Sequence, residues 1–130
     1  MPVIDASAAI DVLTGSEAGT HWFDSIVRAD ETLQAPYLID IEVMNGLRRL
    51  AALREKLASR IEQAVTEFQN LRISRHGHLI LLPRIWDLRH NLSSYDATYV
   101  ALAESLNEPL VTSDAKLSRS RGHCAEIILL

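Results

Sequence analysis

The sequence has one cysteine in 130 residues, Cys124. That excludes an internal disulfide and any cysteine-based metal centre, and a reducing, cytoplasmic setting is the matching expectation. The thiol itself reads as a small buried side chain. Aromatic residues make up only 5%, so leucine, isoleucine, valine and alanine must fill most of a core. No apolar run is long enough to cross a bilayer, so no membrane contact is expected. In residues 1–13 no basic segment precedes the apolar stretch, and Asp5 and Asp11 interrupt it. That is not the pattern of a secretion leader. A glycine-rich dinucleotide loop is missing, as are linker-like stretches, repeats and low-complexity segments, so residues 1–130 read as a single domain.

What is present is ordinary for a globular chain: 48% hydrophobic and 23% charged residues. The formal charge of −4 argues at first against a nucleic-acid partner. Four acids discussed below account for all of it, so net charge excludes little. Short β-like runs alternate with helical patterns, which points to an α/β fold: a central, mainly parallel sheet flanked by helices. Pro2 to Asp5 reads as a buried strand ending in an acid. Ser7 is placed to cap a short helix through Leu13, with Thr14-Gly15 as its stop. A second helix covers Ala18 to Val27 and buries Trp22, Phe23 and Ile26, and Leu33 to Ala35 is a brief strand. After Pro36 a helix runs to about Arg54, with Leu38, Ile41, Met44, Leu47 and Leu50 at every third position and Val43 and Ala51 beside them. Another helix runs from Leu57 to Leu71. Ile73 begins a short strand, followed by a His76-Gly77-His78 turn. Leu81 to Leu92 and Tyr95 to Leu106 read as helices, the latter capped by Ser93-Ser94. Pro109 to Thr112 and Glu126 to Leu130 are the last strands.

Asp5 and Asp114 fall at the carboxyl ends of expected strands, the edge where open α/β sheets bind ligands. Glu42 lies in the first half of one helix and Asp96 in the first turn of another, and helix starts share that edge. Each acid has an ordinary reading: Asp5 and Asp96 as helix-start residues, Glu42 as a solvated helix acid, Asp114 as a turn residue. Gathered together, though, like charges only destabilise unless a cation compensates them, and all-oxygen ligands select Mg²⁺ or Mn²⁺. Glu42, Asn45 and Arg49 share one helix face. Arg48, Arg49, Arg54, Lys56 and Arg60 read either as a solvated, ion-paired surface or as a track for RNA phosphates, with Arg49 favoured for the second role. The five histidines show no metal-ligand spacing. Trp22 and Trp86 read as core or interface residues.

Four segments resemble the motifs of PIN-domain nucleases: Val3-Ile4-Asp5-Ala6-Ser7, Ile41 to Arg49, Tyr95 to Glu104, and Val111 to Leu117. The short length and the Asp-Ala-Ser start are similar to VapC toxins of bacterial toxin–antitoxin pairs. The resemblance implies a PIN-like three-layer sandwich and a Mg²⁺-dependent endoribonuclease with Asp5, Glu42, Asp96 and Asp114 as its catalytic and metal-binding acids. It implies Ser7, Asn45 and Ser113 as supporting polar residues, RNA as substrate, a VapB-like antitoxin as partner, and a homodimer. One departure stands out: some relatives carry a further acid after the last motif, where this chain has Lys116 and Leu117. The alternatives fare worse. A receiver domain needs paired acids where Asp5 is followed by Ala6, and a haloacid-dehalogenase phosphatase needs an acid at position 7, which is serine. A catalytically inert PIN-like interaction module is the remaining rival.

Overall fold

Val3–Ile4 (β1) is fully buried and lies at the centre of a five-stranded sheet. The computed structural model describes all 130 residues. Around β1 the strand order is β3-β2-β1-β4-β5, with β2 at Leu33–Pro36, β3 at Ile73–His76, β4 at Leu110–Thr112 and β5 at Ile127–Leu129. Every pairing is parallel. Parallel neighbours need a crossover, and helices supply it. These are α1 (Ala6–Thr14), α2 (Glu17–Arg28), α3 (Leu38–Leu53), α4 (Ala58–Asn70), α5 (Leu82–Asp87), α6 (Ser94–Leu106) and α7 (Ala115–Ser118).

Helices α1 to α4 pack on one another, while α5 packs on α6, and α6 lies along β1, β2 and β4. The expected α/β sandwich is the observed architecture. Seven consecutive α6 residues, Ala97 to Ala103, are buried. A helix hidden on all sides needs small residues for close approach, and Ala97, Ala101 and Ala103 provide them. One cluster of 27 buried residues joins the sheet to both helical groups.

Several local expectations need correction. The cap of α1 is Asp5, not Ser7: Ala8 N donates to Asp5 Oδ1 at 2.9 Å. In α3 the buried positions are Ile39, Val43 and Leu47, whereas Ile41 is exposed. Steps of three residues lag a full helical turn by about 60°, so an every-third pattern drifts around the helix while steps of four hold one face. The helix expected to Leu92 ends at Asp87. There Arg89 Nη1 and the Arg89 amide both donate to the Trp86 carbonyl, which uses up the oxygen that a further helical turn requires. Leu88 and Leu92 stay buried through the turns that follow. His76 closes β3 instead of opening a turn. Trp86 is exposed and Trp22 is partly buried against the core.

Cys124 is exposed, contrary to the expectation of burial. It sits in a loop tied down from α6. Glu104 Oε1 and Oε2 accept from Arg84 Nε and Nη2, both at 3.0 Å, and Oε2 also accepts from the Cys124 amide at 3.3 Å. Backbone recruitment at that position leaves the thiol facing out. No helix is long and apolar enough to cross a membrane.

Candidate active site

Register places the first two site residues. Val3 pairs with Leu110 and Ile4 with Val111, so Asp5 comes level with Thr112. The Asp5 amide continues the ladder by donating to Val111 O at 3.1 Å. β1 is also where the sheet changes direction, with β2 on one side and β4 on the other. A crevice outside the carboxyl ends at such a switch point is the usual ligand site of an open parallel sheet.

Asp5 is buried, at 6% exposure. Its Oδ1 accepts from Ala8 N and from Ser7 Oγ at 2.7 Å, and its Oδ2 accepts from Thr112 Oγ1. A carboxylate offers about four lone-pair positions, so one position on Oδ2 remains open. Burial pushes the Asp5 carboxyl above its ordinary value; the three donors pull it back only in part, and Asp96 adds to the rise. Glu42, in the second turn of α3, accepts from Tyr99 OH at 2.7 Å through Oε1. That bond joins the two helical groups across the end of the sheet. Burial raises the Glu42 carboxyl, Tyr99 opposes this, and the charges of Asp96 and Asp5 reinforce it. Asp96 is raised by burial and by Asp114, with Ser93 and Lys116 opposing. Tyr99 is pushed far up, first by burial and then by Glu42, and stays a donor.

Asp114 is exposed and caps α7, its Oδ1 accepting from Lys116 N at 2.8 Å. The four acids thus form an open row within reach of one another's charge. As the side chains stand, no three acids, histidines or cysteines close into a tight ligand set.

The polar residues expected to support the acids divide. Ser7 Oγ accepts from Ser113 N at 2.9 Å, which ties α1 to the end of β4. Ser113 Oγ is buried and has no partner, so it is free for a bound molecule. Asn45 is exposed, and its Oδ1 accepts from Arg48 Nη2 at 3.1 Å, not from anything in the acid row. Arg49 lines a cleft of about 490 Å³ together with Ser7, Gly46 and Ser113. Arg60, in contrast, is a structural residue that pairs with Glu67 and donates to Leu13 O at 2.6 Å. Sequence reasoning missed Thr112 and Tyr99. Thr112 was recoverable as the inward strand residue two before Asp114; Tyr99 was recoverable only as a helix neighbour of Asp96.

The profile of the PIN domain matches residues 3–122. The chain belongs to the PIN-domain family. It is similar to the protein named Ribonuclease VapC9 of Mycobacterium tuberculosis, 42% identical over 118 residues that span 91% of this chain and 89% of that one. It is also similar to Ribonuclease VapC1 of the same organism, 36% identical over 129 residues spanning 98% and 96%. PAE2754 from Pyrobaculum aerophilum, known from a crystal structure, has the same fold: TM-score 0.62 at 22% identity, covering 89% of this chain and 82% of that chain.

In this PIN domain the donor set suits a hard divalent cation. All the candidate ligands are oxygens, three of the four acids bind protons more tightly than usual, and a buried hydroxyl stands unpartnered beside them. Thr112 is the brace of the row: besides donating to Asp5, its Oγ1 accepts from the Asp114 amide at 3.0 Å. Thr112→Val keeps the shape and removes both bonds at a site with no exposure. It should cost about 1–3 kcal/mol in urea unfolding, while Thr112→Ser stays near wild type. Equal stability of the valine and serine variants would show that the hydroxyl does not hold the two acids.

Proposed function

We propose that the chain, a single PIN domain over residues 1–130, is a Mg²⁺- or Mn²⁺-dependent endoribonuclease and the toxin of a toxin–antitoxin pair. The observation that carries this reading is the row of four carboxylates crowded at the sheet's switch point, with the proton affinity of Asp5, Glu42 and Asp96 raised and only Lys116 nearby to offset the charge. The similarity to ribonucleases of the VapC group supports the RNA substrate. Asp5, Asp96 and Asp114, with Glu42, are the residues that would hold the ion. A bound divalent ion supplies a Lewis acid that acidifies water and neutralises charge on the phosphodiester.

The chain's own residues have defined roles in this reading. Asp5 is fixed by its three donors, so its open lone pair has one orientation. Tyr99 holds Oε1 of Glu42, and Oε2 is left without a donor. Because Glu42 holds a proton more tightly than an ordinary carboxylate, it is the better general base for a water attacking phosphorus. No protein nucleophile is needed.

A VapB-like antitoxin and a homodimer belong to the same reading. An Arg fork is the natural occupant of an acid row when the ion is gone. The exposed apolar residues Leu79, Ile80 and Trp86 supply a face of the kind that a second copy covers.

Single-stranded RNA incubated with the purified protein should be cut in Mg²⁺ and not in EDTA, leaving 5′-phosphate and 3′-hydroxyl ends. Those ends follow from attack by water in place of the ribose 2′-hydroxyl. Products with 2′,3′-cyclic phosphate, or cleavage undiminished by EDTA, overturn the mechanism; an absence of any cleavage with the metal present favours the inert interaction module.

A further inference from the structure

A second cleft, of about 480 Å³, opens on the other flank of the acid row from the Arg49 cleft. Asp96 and Asp114 line it together with Asn91, Ser93, Lys116 and Arg119, and Leu92, Leu117 and Ser120 complete it. Its size falls in the range of small-molecule sites. Four of the chain's arginines, Arg60, Arg72, Arg75 and Arg84, are tied up in ion pairs, whereas Arg119 and Lys116 make no close ion pair, although the Lys116 charge acts on Asp96. Two cations lining one cleft with two carboxylates suit a phosphate that must lie next to the acids without being repelled by them.

Asn91 adds a second kind of recognition. Its side-chain amide makes no bond within the chain, leaving donors and an acceptor open. It is exposed and lies beside Gly122, at φ +89°, where a Cβ would overlap Asn91 Nδ2. Arg84 fixes that loop in turn by donating to Gly122 O at 3.2 Å. A side-chain amide with donor and acceptor both free can read the edge of a base. The Arg49 cleft is lined by Ile10, Leu50 and Leu53 and has no side-chain amide.

We propose that this cleft seats the nucleotide adjacent to the scissile phosphate, with Lys116 and Arg119 on its phosphate and Asn91 reading its base. The inference rests on the ribonuclease reading and goes beyond it by assigning a specificity pocket.

The test uses a short fluorescein-labelled single-stranded RNA of randomised sequence, and homopolymers of each base. Cleavage is followed in Mg²⁺ and binding by anisotropy in Ca²⁺. The double variant Lys116→Gln, Arg119→Gln should raise KM about tenfold with kcat within about threefold, and should flatten the salt dependence of binding by about one power of the salt concentration. Asn91→Ala should shift the preference among the homopolymers by roughly tenfold. Arg28→Gln, at the end of α2, should do neither, and the Mg²⁺-induced rise in Tm should be the same in Asn91→Ala as in the wild type. Unchanged KM and salt slope in the double variant overturn the phosphate assignment. An unchanged base preference in Asn91→Ala overturns the base-reading one. If the wild type neither binds nor cuts any RNA, the ribonuclease reading itself fails. Variants that keep RNA affinity yet lose an acidic protein partner would reassign the cleft to protein binding.

Discussion

Asp96→Asn should abolish RNA cleavage and at the same time make the metal-free protein more stable. Burial and the neighbouring charge of Asp114 both disfavour the ionised side chain. Two carboxylates at about 5 Å repel by on the order of 3 kcal/mol at an effective dielectric near 20, before screening. The charge also has support, from Ser93 and Lys116 and from the N-terminus of α6, which favours an acid by about 0.3–1 kcal/mol. The raised proton affinity indicates that the unfavourable side wins. Asparagine keeps the shape, so a net gain of up to about 1 kcal/mol is expected, or a few degrees in Tm. Added Mg²⁺ should then raise the wild-type Tm more than the variant's, because ligand binding to the native state is what lifts Tm. A purely structural Asp96 gives the reverse pattern: unchanged metal-free stability, full cleavage and an undiminished response to Mg²⁺. Melting curves with and without the ion, beside one cleavage assay, separate the two.

The second large effect is on pH dependence, where removing the ion changes the sign. Asp5, Glu42 and Asp96 all have folded-state proton affinities above their ordinary values. Between the ordinary and the raised values the native state binds more protons than the unfolded chain, so stability falls as pH rises. Their contribution is complete below the ordinary carboxylate range and is lost through the raised values. Glu104 acts oppositely. Burial pushes it up, but hydrogen bonds from Arg84 and the Cys124 amide, with the charge of Arg84, pull it lower still. Its contribution is present above the ordinary range and is lost on strong acidification. Metal-free protein should therefore be most stable on the acid side of neutrality and lose Tm as pH rises beyond the ordinary carboxylate range. With Mg²⁺ the slope should flatten or reverse, since the ion binds deprotonated carboxylates. The difference in Tm between the wild type and Asp96→Asn reports Asp96 together with its charge coupling to Asp5 and Glu42. That difference should vanish in acid and grow with pH; a constant difference would rule out ionisation of Asp96 as its origin.

Elements with strong local signals were legible without coordinates. The α6 cap at Ser93 follows from a serine ahead of an apolar run, and Asp96 N does donate to Ser93 Oγ at 3.2 Å. The parallel sheet followed from apolar strands separated by helical periods. Failures came where a side chain competed with the backbone. Arg89 ends α5 at the Trp86 carbonyl, and Asp5 takes the cap that Ser7 also offered, because one residue past β1 its oxygens lie over the Ala8 amide. The four-residue α7 had no period long enough to read, and Asp114 starts it by capping.

For the site, the sequence by itself determined which residue types were available: four acids at strand ends and helix starts, in the order of a PIN domain. It did so because strand and helix periods are local, and because position in a βα unit dictates the edge that a residue occupies. Only the tertiary structure decided how those acids are held. The Asp5–Thr112 brace depends on the pairing of β1 with β4 across more than a hundred residues, and the Glu42–Tyr99 bond on two helices meeting over the sheet's end. The raised proton affinities depend on burial, which no single segment possesses alone. The cleft of Lys116, Arg119 and Asn91 exists only because the segment after α5 meets the segment after β4. Contacts of that kind are set by packing between distant segments, and sequence spacing carries no record of them.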